Sequence, residues 1–294
     1  MSSLSSKEPA TLKAPAKINL LLRVTGKRPD KFHELVSLFH PVTTICDTLA
    51  VDLESRSGIS ISCNAPEVPA DSSNLAVKAA AAFAEKRKIA PSWHIELEKA
   101  IPAAAGMGGG SSDAGTLLQF LNERYPGLSA EEMNRLACQI GADVPFFLKP
   151  SDAVARGVGE KLTPAGSLPM PPMLAVFPAF PVSAAWAYQH LQKMTPQAQA
   201  EEEVQLLIEA LQQKDFRKAA SLCANDLEHA LFDKFPLLSI LRKELEQRGA
   251  LCVHVSGSGP TLWAMFESRE DRNNAATSLS SRDNTESGIK IMEL

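Results

Sequence analysis

The sequence has 294 residues, of which 45% are hydrophobic and 22% charged, and its formal net charge is -4. This length suits one large domain or two of medium size. The slightly acidic balance argues against a nucleic-acid or anionic-membrane surface, because both need a basic face. We therefore expect no nucleic-acid partner and no membrane partner.

Cysteine usage and the N-terminus predict a cytoplasmic protein with reduced thiols. Five cysteines are scattered along the chain without a C-x-x-C pair, and an odd number without metal-ligand spacing is typical of buried, reduced thiols. The first fifteen residues lack the apolar core of a signal peptide, and no apolar run reaches the length of a membrane span. We expect residues 1–12 to form a loose polar tail.

The N-terminal half begins with strands. Residues 15–30 predict a strand that ends in a turn, because apolar and polar residues alternate along it. One face carries Ile18, Leu20, Leu22 and Val24, and the other carries Lys17, Asn19 and Arg23. Residues 48–55 and 58–63 predict two more strands around a turn at Ser57 and Gly58.

Helices and one further strand follow. Residues 72–88 predict a helix with Ser or Asn as its cap, and residues 92–102 alternate as a strand. The next predicted helix spans residues 111–127, after a glycine-rich loop. Ser129 and Glu132 form a capping box for another helix, which we expect to end at Gly141.

A proline-rich segment, residues 162–173, predicts the linker between two domains, 1–165 and 166–294. The second domain opens with a strand at residues 174–180, followed by helices near residues 204–211 and 235–249. Residues 250–267 predict two strands around a second glycine-rich loop, and a polar helix and a strand at 288–294 close the chain. This irregular interleaving favours an α+β fold.

The first glycine-rich loop, "AIPAAAGMGGGSSDAG" at residues 100–115, is typical of phosphate binding. Consecutive glycines let several backbone N–H groups approach one anion, and the helix that follows adds the positive end of its dipole. A tight strand-to-helix connection without a ligand is the alternative. The loop is neither a Walker A motif nor G-x-G-x-x-G, so the cation for a phosphate must come from elsewhere in the chain.

Three motifs in order resemble those of the GHMP kinase superfamily. They are "APAKINLLLRV", "PAAAGMGGGSSDA" and "VHVSGSGPTLWAMF". Together with "RPDKFHEL", "GADVPFFL" and "ARGVGEKLTP", they resemble the members that phosphorylate a cytidine-diphosphate-linked methylerythritol in the non-mevalonate isoprenoid pathway. The resemblance implies a two-domain fold, with a domain like the second domain of ribosomal protein S5 and a ferredoxin-like domain. It also implies an active site in the cleft between them.

The resemblance implies that ATP and Mg²⁺ are used, with Asp143 as catalytic base and Lys17 as catalytic lysine. Phosphoryl transfer needs mainly positioning and charge neutralisation, and Lys17 would supply the cation that the glycine loop lacks. From the residues alone, Asp143 remains compatible with a turn or helix-cap aspartate, and Lys17 with a solvated strand lysine.

The resemblance also assigns residues to ATP binding: Pro102, Ala103, Ala104, Ala105, Gly106, Met107, Gly108, Gly109, Gly110, Ser111, Ser112, Asn74 and Lys99. Without the resemblance, Asn74 would be interpreted as a helix cap and Lys99 as a solvated lysine. Ala104 and Ala105 stand where the family usually has glycines, and Ala184 replaces a common threonine.

The resemblance assigns Asn19, Phe32, His33, Tyr188, Ser256 and Gly257 to the cytidine-diphosphate-linked substrate. Phe32, where tyrosine is usual, and Tyr188 would stack on the cytosine, with His33 beside its edge; core aromatics are the alternative. The loop at residues 256–259 would brace the first glycine loop or bind the diphosphate, unless it is simply a hairpin turn.

Two other functions stay open at this stage. The first is a GHMP kinase acting on another alcohol, such as homoserine or mevalonate. The second is a nucleotide-binding regulator without catalysis, which retention of both Lys17 and Asp143 argues against. A dinucleotide oxidoreductase is disfavoured by the missing fingerprint. We expect a monomer or a weak homodimer.

Overall fold

The structure, a computed structural model, describes residues 9–55, 57–280 and 289–294. The described strands are β1 (Ala10–Lys27), β2 (His33–Asp52), β3 (Gly58–Cys63), β4 (Ser92–Glu98), β5 (Ala153–Gly157), β6 (Lys161–Pro164), β7 (Met173–Pro178), β8 (Ala224–Asn225), β9 (Ala250–Val255), β10 (Leu262–Phe266) and β11 (Ile289–Glu293). The described helices are α1 (Leu75–Arg87), α2 (Gly109–Arg124), α3 (Ala130–Ile140), α4 (Ala184–Gln189), α5 (Gln197–Gln212), α6 (Phe216–Leu222), α7 (Glu228–Lys234), α8 (Pro236–Gln247) and α9 (Arg269–Ser280). A short 3-10 helix spans Val144–Leu148. The predicted α+β class is confirmed.

The chain divides into two compact units. Unit 1 takes the described residues within 1–15, 46–103 and 109–149, and unit 2 those within 16–45, 104–108, 150–280 and 289–294. Both β1 and β2 therefore contribute residues to each unit. These units interleave along the chain and do not test the predicted division at residue 165, which stays a prediction.

Unit 1 packs three helices on a small sheet. Strand β3 runs parallel to β4, with Ile59 opposite Trp93, and β4 runs antiparallel to the end of β2, with Leu97 opposite Leu49. The predicted strands at 48–55 and 58–63 are both present, as the end of β2 and as β3. In the sheet, β4 lies between these two strands. The parallel pair of β3 and β4 needs a crossover connection, and α1 provides it. The core buries side chains from the sheet and from α1, α2 and α3, among them Phe83 and Leu117.

Unit 2 contains a four-stranded antiparallel sheet in the order β11-β7-β10-β9. Helices α7, α8 and α9 pack with it around a core that includes Leu231, Leu241 and Phe266. In the same unit, residues 35–39 of β2 pair with β5, β5 forms a hairpin with β6, and β1 runs parallel to the short β8. The sequence predicted β7, β9, β10 and β11, and it predicted β1 as the strand at residues 15–30. It did not predict residues 35–39 of β2, or β5, β6 and β8.

Two predicted segments need correction. Strand β1 begins at Ala10, so residues 10–12 belong to the sheet and not to a loose tail, while residues 1–8 lie outside the described residues. The proline-rich segment is also partly regular, since residues 162–164 belong to β6. Proline is tolerated there because it stands at the end of a short strand.

The predicted helix caps are confirmed. The side chain of Asn74 accepts a hydrogen bond from the backbone N–H of Ala76 at the start of α1. Ser129 and Glu132 form the reciprocal capping box of α3, and Gly141 follows its last residue. Within the described part of the chain, no helix is long and apolar enough to cross a membrane.

Candidate active site

The first glycine loop has an unusual backbone. Gly106 and Gly108 have φ angles of 76° and 73°, and Ala104 has a φ of 52°. Glycine adopts this left-handed region without a steric penalty, whereas alanine does not. Helix α2 begins at Gly109, two residues earlier than predicted. The first backbone N–H groups of a helix have no partner within the helix, and in this chain they directly follow the loop. Phosphate binding by the loop stays a prediction.

The second glycine loop, residues 256–259, packs against the first. The hydroxyl of Ser256 donates to the carbonyl oxygen of Gly106 at 2.9 Å, and the backbone N–H of Thr261 donates to Ala105 at 3.3 Å. A Cβ atom on Gly106 would lie 2.1 Å from the carbonyl oxygen of Ser256. The second loop therefore braces the first, one of the alternatives that the sequence left open.

Lys17 is buried at the start of unit 2 and is not a solvated strand lysine. Its side chain is 4% exposed, and its Nζ donates to Asn19 Oδ1 at 2.7 Å and lies 4.6 Å from the centroid of the Phe39 ring. Its backbone N–H donates to the carbonyl of Met107 at 2.9 Å. A buried lysine is rare unless it is paired or functional, and this one is attached to the glycine loop through its own backbone.

Asn19 connects Lys17 to the second glycine loop. Its Nδ2 donates to Ser37 Oγ at 2.9 Å, and Ser37 in turn donates to the carbonyl of Leu21. A Cβ atom on Gly257 would lie 3.3 Å from Asn19 Oδ1. The amide orientation is therefore fixed, with its oxygen directed to the lysine. Ser37 has no local sequence signal and was not predicted.

Asn225, which the sequence analysis also missed, holds the second glycine loop from β8. Its Nδ2 donates to the carbonyls of Val255 and Gly257 at 2.9 and 2.7 Å, and its Oδ1 accepts from Leu227 N at 2.9 Å. The side chain is buried. No local pattern distinguishes this asparagine, because the two carbonyls that it binds lie about thirty residues later in the chain.

In unit 1, a buried cluster of two carboxylates and one ammonium lies at the first turn of α2. Lys99 Nζ donates to Asp47 Oδ2 and, at 2.9 Å, to Asp113 Oδ2. Asp47 Oδ1 also accepts from the backbone N–H groups of Ala100 and Ile101 at 2.7 and 2.8 Å. Lys99 is therefore not a solvated lysine, and its role in ATP binding stays a prediction.

Burial shapes the protonation of this cluster. Burial raises the pKa of Asp113 to about 7, with the Asp47 carboxylate adding to the rise and Lys99 opposing it. Burial alone would lower the pKa of Lys99, but the two carboxylates raise it above its ordinary value. Asp113 Oδ1 is buried without a hydrogen-bond partner. Neither aspartate was predicted from the sequence.

Two other predicted ATP-binding residues have structural partners in unit 1. Asn74 donates from Nδ2 to the carbonyl of Pro69 at 2.7 Å in addition to capping α1, so both ends of its amide are used. Ser112 is buried and donates to the carbonyl of Pro15 at 2.6 Å. Ser111, the neighbouring hydroxyl, is only partly buried. Contacts of these residues with ATP stay predictions.

Asp143 lies in unit 1, directly before the 3-10 helix Val144–Leu148, and is partly buried. It occupies the N-cap position of that helix without a side-chain capping hydrogen bond, and its catalytic role stays a prediction. The 3-10 helix packs closely on α2, because a Cβ atom on Gly115 would lie 2.6 Å from Phe147 Cβ. This contact fixes the backbone around Asp143 relative to the first turns of α2.

The predicted aromatic residues of unit 2 differ in their surroundings. Phe32 is 61% exposed and so is not a core residue. The rings of His33 and Tyr188 are stacked, with centroids 5.2 Å apart and planes inclined at 19°. Burial, and then the charge of Lys27, lower the pKa of His33. His33 and Tyr188 thus form a stacked pair, and the exposed Phe32 directly precedes His33 in the chain.

Family models match both halves of the chain. A model described as "GHMP kinases N terminal domain" matches residues 74–150, and one described as "GHMP kinases C terminal" matches residues 207–284. The first match contains the glycine loop, Lys99 and Asp143. The second contains the Ser256–Gly259 loop.

The chain is also similar to individual proteins. It is 37% identical over 270 residues to the 4-diphosphocytidyl-2-C-methyl-D-erythritol kinase of Geobacter metallireducens, covering 92% of this chain and 93% of that protein. It superposes on a crystal structure of 4-(cytidine 5'-diphospho)-2C-methyl-D-erythritol kinase with a TM-score of 0.79 and 34% identity, covering 97% of this chain and 98% of the other. The homoserine kinase of Cytophaga hutchinsonii, with a TM-score of 0.77, 19% identity and coverage of 100% and 96%, shares the fold alone.

Proposed function

We propose the function of this chain from one premise, which is that it belongs to the 4-diphosphocytidyl-2-C-methyl-D-erythritol kinase family of the GHMP kinases. It is an ATP-dependent kinase with the two-domain GHMP fold. Its reaction transfers the γ-phosphoryl group of ATP to the C2 hydroxyl of 4-diphosphocytidyl-2-C-methyl-D-erythritol, a step of the methylerythritol phosphate pathway to isoprenoids.

The arrangement around Lys17 is the observation that carries the proposal at the level of residues. The ammonium is buried, oriented by Asn19 Oδ1, and connected through its backbone to Met107 in the glycine loop. In a site shielded from water, a cation stabilises charge on a transferring phosphoryl group far more strongly than in bulk solvent. We assign Lys17 to this role.

Asp143 is assigned as the general base that accepts the proton of the C2 hydroxyl. Asp143 directly precedes the 3-10 helix Val144–Leu148, and the close packing of that helix on α2 fixes its backbone. A base that only orients the hydroxyl and takes its proton suits phosphoryl transfer, in which positioning and electrostatics dominate. Deprotonation of the hydroxyl would then accompany transfer.

ATP is proposed to enter with Mg²⁺. Residues 9–55, 57–280 and 289–294 include no group of three or more His, Cys, Asp or Glu side chains that could hold a metal ion. Mg²⁺ is usually bound through nucleotide phosphates and only one or two carboxylates. When bound, the ion would neutralise phosphate charge. We further propose a cytoplasmic enzyme that is a monomer or a weak homodimer.

Two pairs of variants test the assignment. Asp143→Asn is expected to lower kcat by ~10²–10⁴-fold, the usual contribution of a positioned general base, without a change in melting temperature. Lys17→Met is expected to lower kcat by ~10²–10³-fold, the usual cost of removing one group that stabilises charge in the transition state. Lys13→Met, an exposed lysine four residues earlier on β1, and Asp71→Asn, an exposed aspartate, are the matched controls and should retain wild-type kcat. Wild-type kcat in Asp143→Asn would refute the mechanism.

A substrate panel separates the proposed reaction from its alternatives. We expect phosphate transfer to 4-diphosphocytidyl-2-C-methyl-D-erythritol and none to homoserine or mevalonate, measured as ADP release in a single-turnover assay. Preferred turnover of either other alcohol would indicate a different GHMP kinase. Binding of ATP without turnover of any of the three would indicate a nucleotide-binding regulator.

A further inference from the structure

A chain of buried hydrogen bonds in unit 2 connects a backbone carbonyl of β1 to the ammonium of Lys17. The hydroxyl of Ser37, on β2, donates to the carbonyl oxygen of Leu21. The same hydroxyl accepts from Asn19 Nδ2 at 2.9 Å, and Asn19 Oδ1 accepts from Lys17 Nζ at 2.7 Å. The exposed fraction of Ser37 is 0%. Lys17 is therefore linked to a serine that no sequence motif singled out.

The single proton of the Ser37 hydroxyl gives this chain a direction. A serine hydroxyl has one donor and two acceptor lone pairs. Because the proton is used on the carbonyl of Leu21, only lone pairs face Asn19, and they require the NH₂ end of its amide. The amide oxygen must then face the ammonium of Lys17, which has donors only. A flipped amide would bring two acceptors together at Ser37 and two donors together at Lys17.

The sheet fixes the origin of this chain. Ser37 is opposite Ala155 of the antiparallel strand β5, and Leu21 is opposite Ala224 of the parallel strand β8. Side chains on regular elements are held more precisely than side chains on loops. The direction of the Ser37 hydroxyl is therefore set by paired strands.

Neighbouring groups limit the movement of the amide and of the ammonium. Phe39 lies two residues after Ser37 on β2, and the centroid of its ring is 4.6 Å from Lys17 Nζ. A Cβ atom on Gly257 would lie 3.3 Å from Asn19 Oδ1. The backbone of the second glycine loop thus lies beside the amide oxygen, and the amide orientation selected by Ser37 is closely surrounded.

We propose that Ser37 is a positioning residue for phosphoryl transfer, which holds the Asn19 amide with its oxygen towards Lys17 and so keeps the ammonium in place. This inference rests on the role of Lys17 in the proposed function. Ser37 acts through Asn19, and its role requires no contact with either substrate. Without the hydroxyl, the buried Asn19 Nδ2 loses this acceptor, which is unfavourable for a buried donor. The amide would then turn to other partners, and Lys17 Nζ would move with it.

A purely structural role for the hydroxyl is the alternative, and Thr195 provides a matched control for it. The buried hydroxyl of Thr195 donates to Asp226 Oδ2 at 2.9 Å, also in unit 2. Thr195→Val removes this hydrogen bond with little change in shape, as Ser37→Ala does at Ser37. A structural role would lower the melting temperature in both variants and leave kcat unchanged in both.

Steady-state kinetics test the catalytic part of the proposal. Ser37→Ala is expected to lower kcat by up to ~10²-fold, the cost of a misplacement of about 1 Å in a reacting group. KM for ATP should stay at its wild-type value, because a group that acts only in the transition state changes kcat. Thr195→Val should retain wild-type kcat. Ser37→Cys, which replaces the hydroxyl by a weakly accepting thiol, should also lose kcat and is the second variant if Ser37→Ala does not fold.

A double-mutant cycle tests whether Ser37 acts through Lys17. Residues that act as a unit have non-additive effects. Ser37→Ala should therefore lower kcat no further when it is added to Lys17→Met. Wild-type kcat in the folded Ser37 variants, or full additivity with Lys17→Met, would overturn the proposal.

Chemical labelling of Lys17 separates this inference from the proposed function, because labelling needs no turnover. The full-length protein without substrates is treated with formaldehyde and dimethylamine–borane, and dimethylation of Lys17 is followed by peptide mass mapping. We expect severalfold faster labelling of Lys17 in Ser37→Ala and a wild-type rate in Thr195→Val, with the exposed Lys13 labelled equally in all three proteins. An unchanged rate at Lys17 in Ser37→Ala would refute the positioning role, whereas a wild-type protein without kinase turnover would refute the proposed function.

Discussion

Substituting alanine for Gly106 directly perturbs the contact between the two glycine loops. Gly106 has a φ of 76°, and an added Cβ would lie 2.1 Å from the carbonyl oxygen of Ser256. That distance is far inside van der Waals contact, and the atom approached is backbone. The second loop must therefore move.

The structure sets the size of the effect. Holding alanine in left-handed backbone costs roughly 1–2 kcal/mol. Displacing Ser256 also strains two hydrogen bonds, from Gly259 N to Ser256 O and from Ser256 Oγ to Gly106 O, both 2.9 Å long, and each is worth about 1 kcal/mol. A loss of about 3 kcal/mol of unfolding free energy follows, or about 5 °C in melting temperature for a chain of 294 residues.

Thermal melting of Gly106→Ala beside Gly110→Ala measures this effect. Gly110 belongs to the same loop-and-helix segment, but it lies in α2, and its added Cβ would sit 3.5 Å from Leu75 Cδ1, an ordinary contact. Alanine at a helical position is favoured by about 0.5–1 kcal/mol over glycine, so Gly110→Ala should melt at or slightly above the wild-type temperature. Gly106→Ala melting within 1 °C of wild type would refute the reasoning about the braced loops.

Three further predictions concern the aromatic residue, the buried carboxyl and the strained alanine. Phe32→Ala should raise KM for the cytidine substrate about 5- to 150-fold, the range of base–aromatic stacking, with little change in melting temperature because the ring is exposed. Asp113→Asn should flatten the pH dependence of stability between pH 4 and 7. The native Asp113 carboxyl keeps its proton up to about pH 7, whereas the carboxyl of the unfolded chain releases its proton near pH 4. The free energy of unfolding of the wild type therefore falls as the pH rises from 4 to 7, because only the unfolded state loses this proton. Ala104→Gly should raise the free energy of unfolding by up to about 1 kcal/mol, because glycine removes the penalty of the φ of 52°.

Each of these has its own control. Steady-state KM for ATP should stay constant in Phe32→Ala, and an unchanged KM for the cytidine substrate would remove Phe32 from the site. Melting curves from pH 4 to 8 that decline as steeply in Asp113→Asn as in wild type would show that another group titrates. Ala103→Gly, at a position without positive φ, should lower stability, and a gain there equal to that of Ala104→Gly would contradict the strain argument.

Local patterns in the sequence predicted much of the secondary structure and the family. Alternating apolar and polar residues predicted β3 and β4, and Ser129 with Glu132 predicted the start of α3. These predictions are possible because strand faces and helix caps depend on neighbours two to four residues away. The ordered glycine motifs identified the GHMP kinases for the same reason, since each motif is one short segment. The family and the α+β fold are confirmed, and the catalytic roles of Lys17 and Asp143 stay predictions.

Only the tertiary structure decided which polar residues are buried and what holds the loops. The sequence alone is compatible with solvated side chains for both Lys17 and Lys99. In the structure, Lys17 contacts Asn19 and Phe39. Lys99 pairs with Asp47 and Asp113. The partners of Lys99 are fourteen and fifty-two residues away in the chain. Burial, charge pairing and the resulting pKa values are set by residues distant in the chain, which is why no local pattern could supply them.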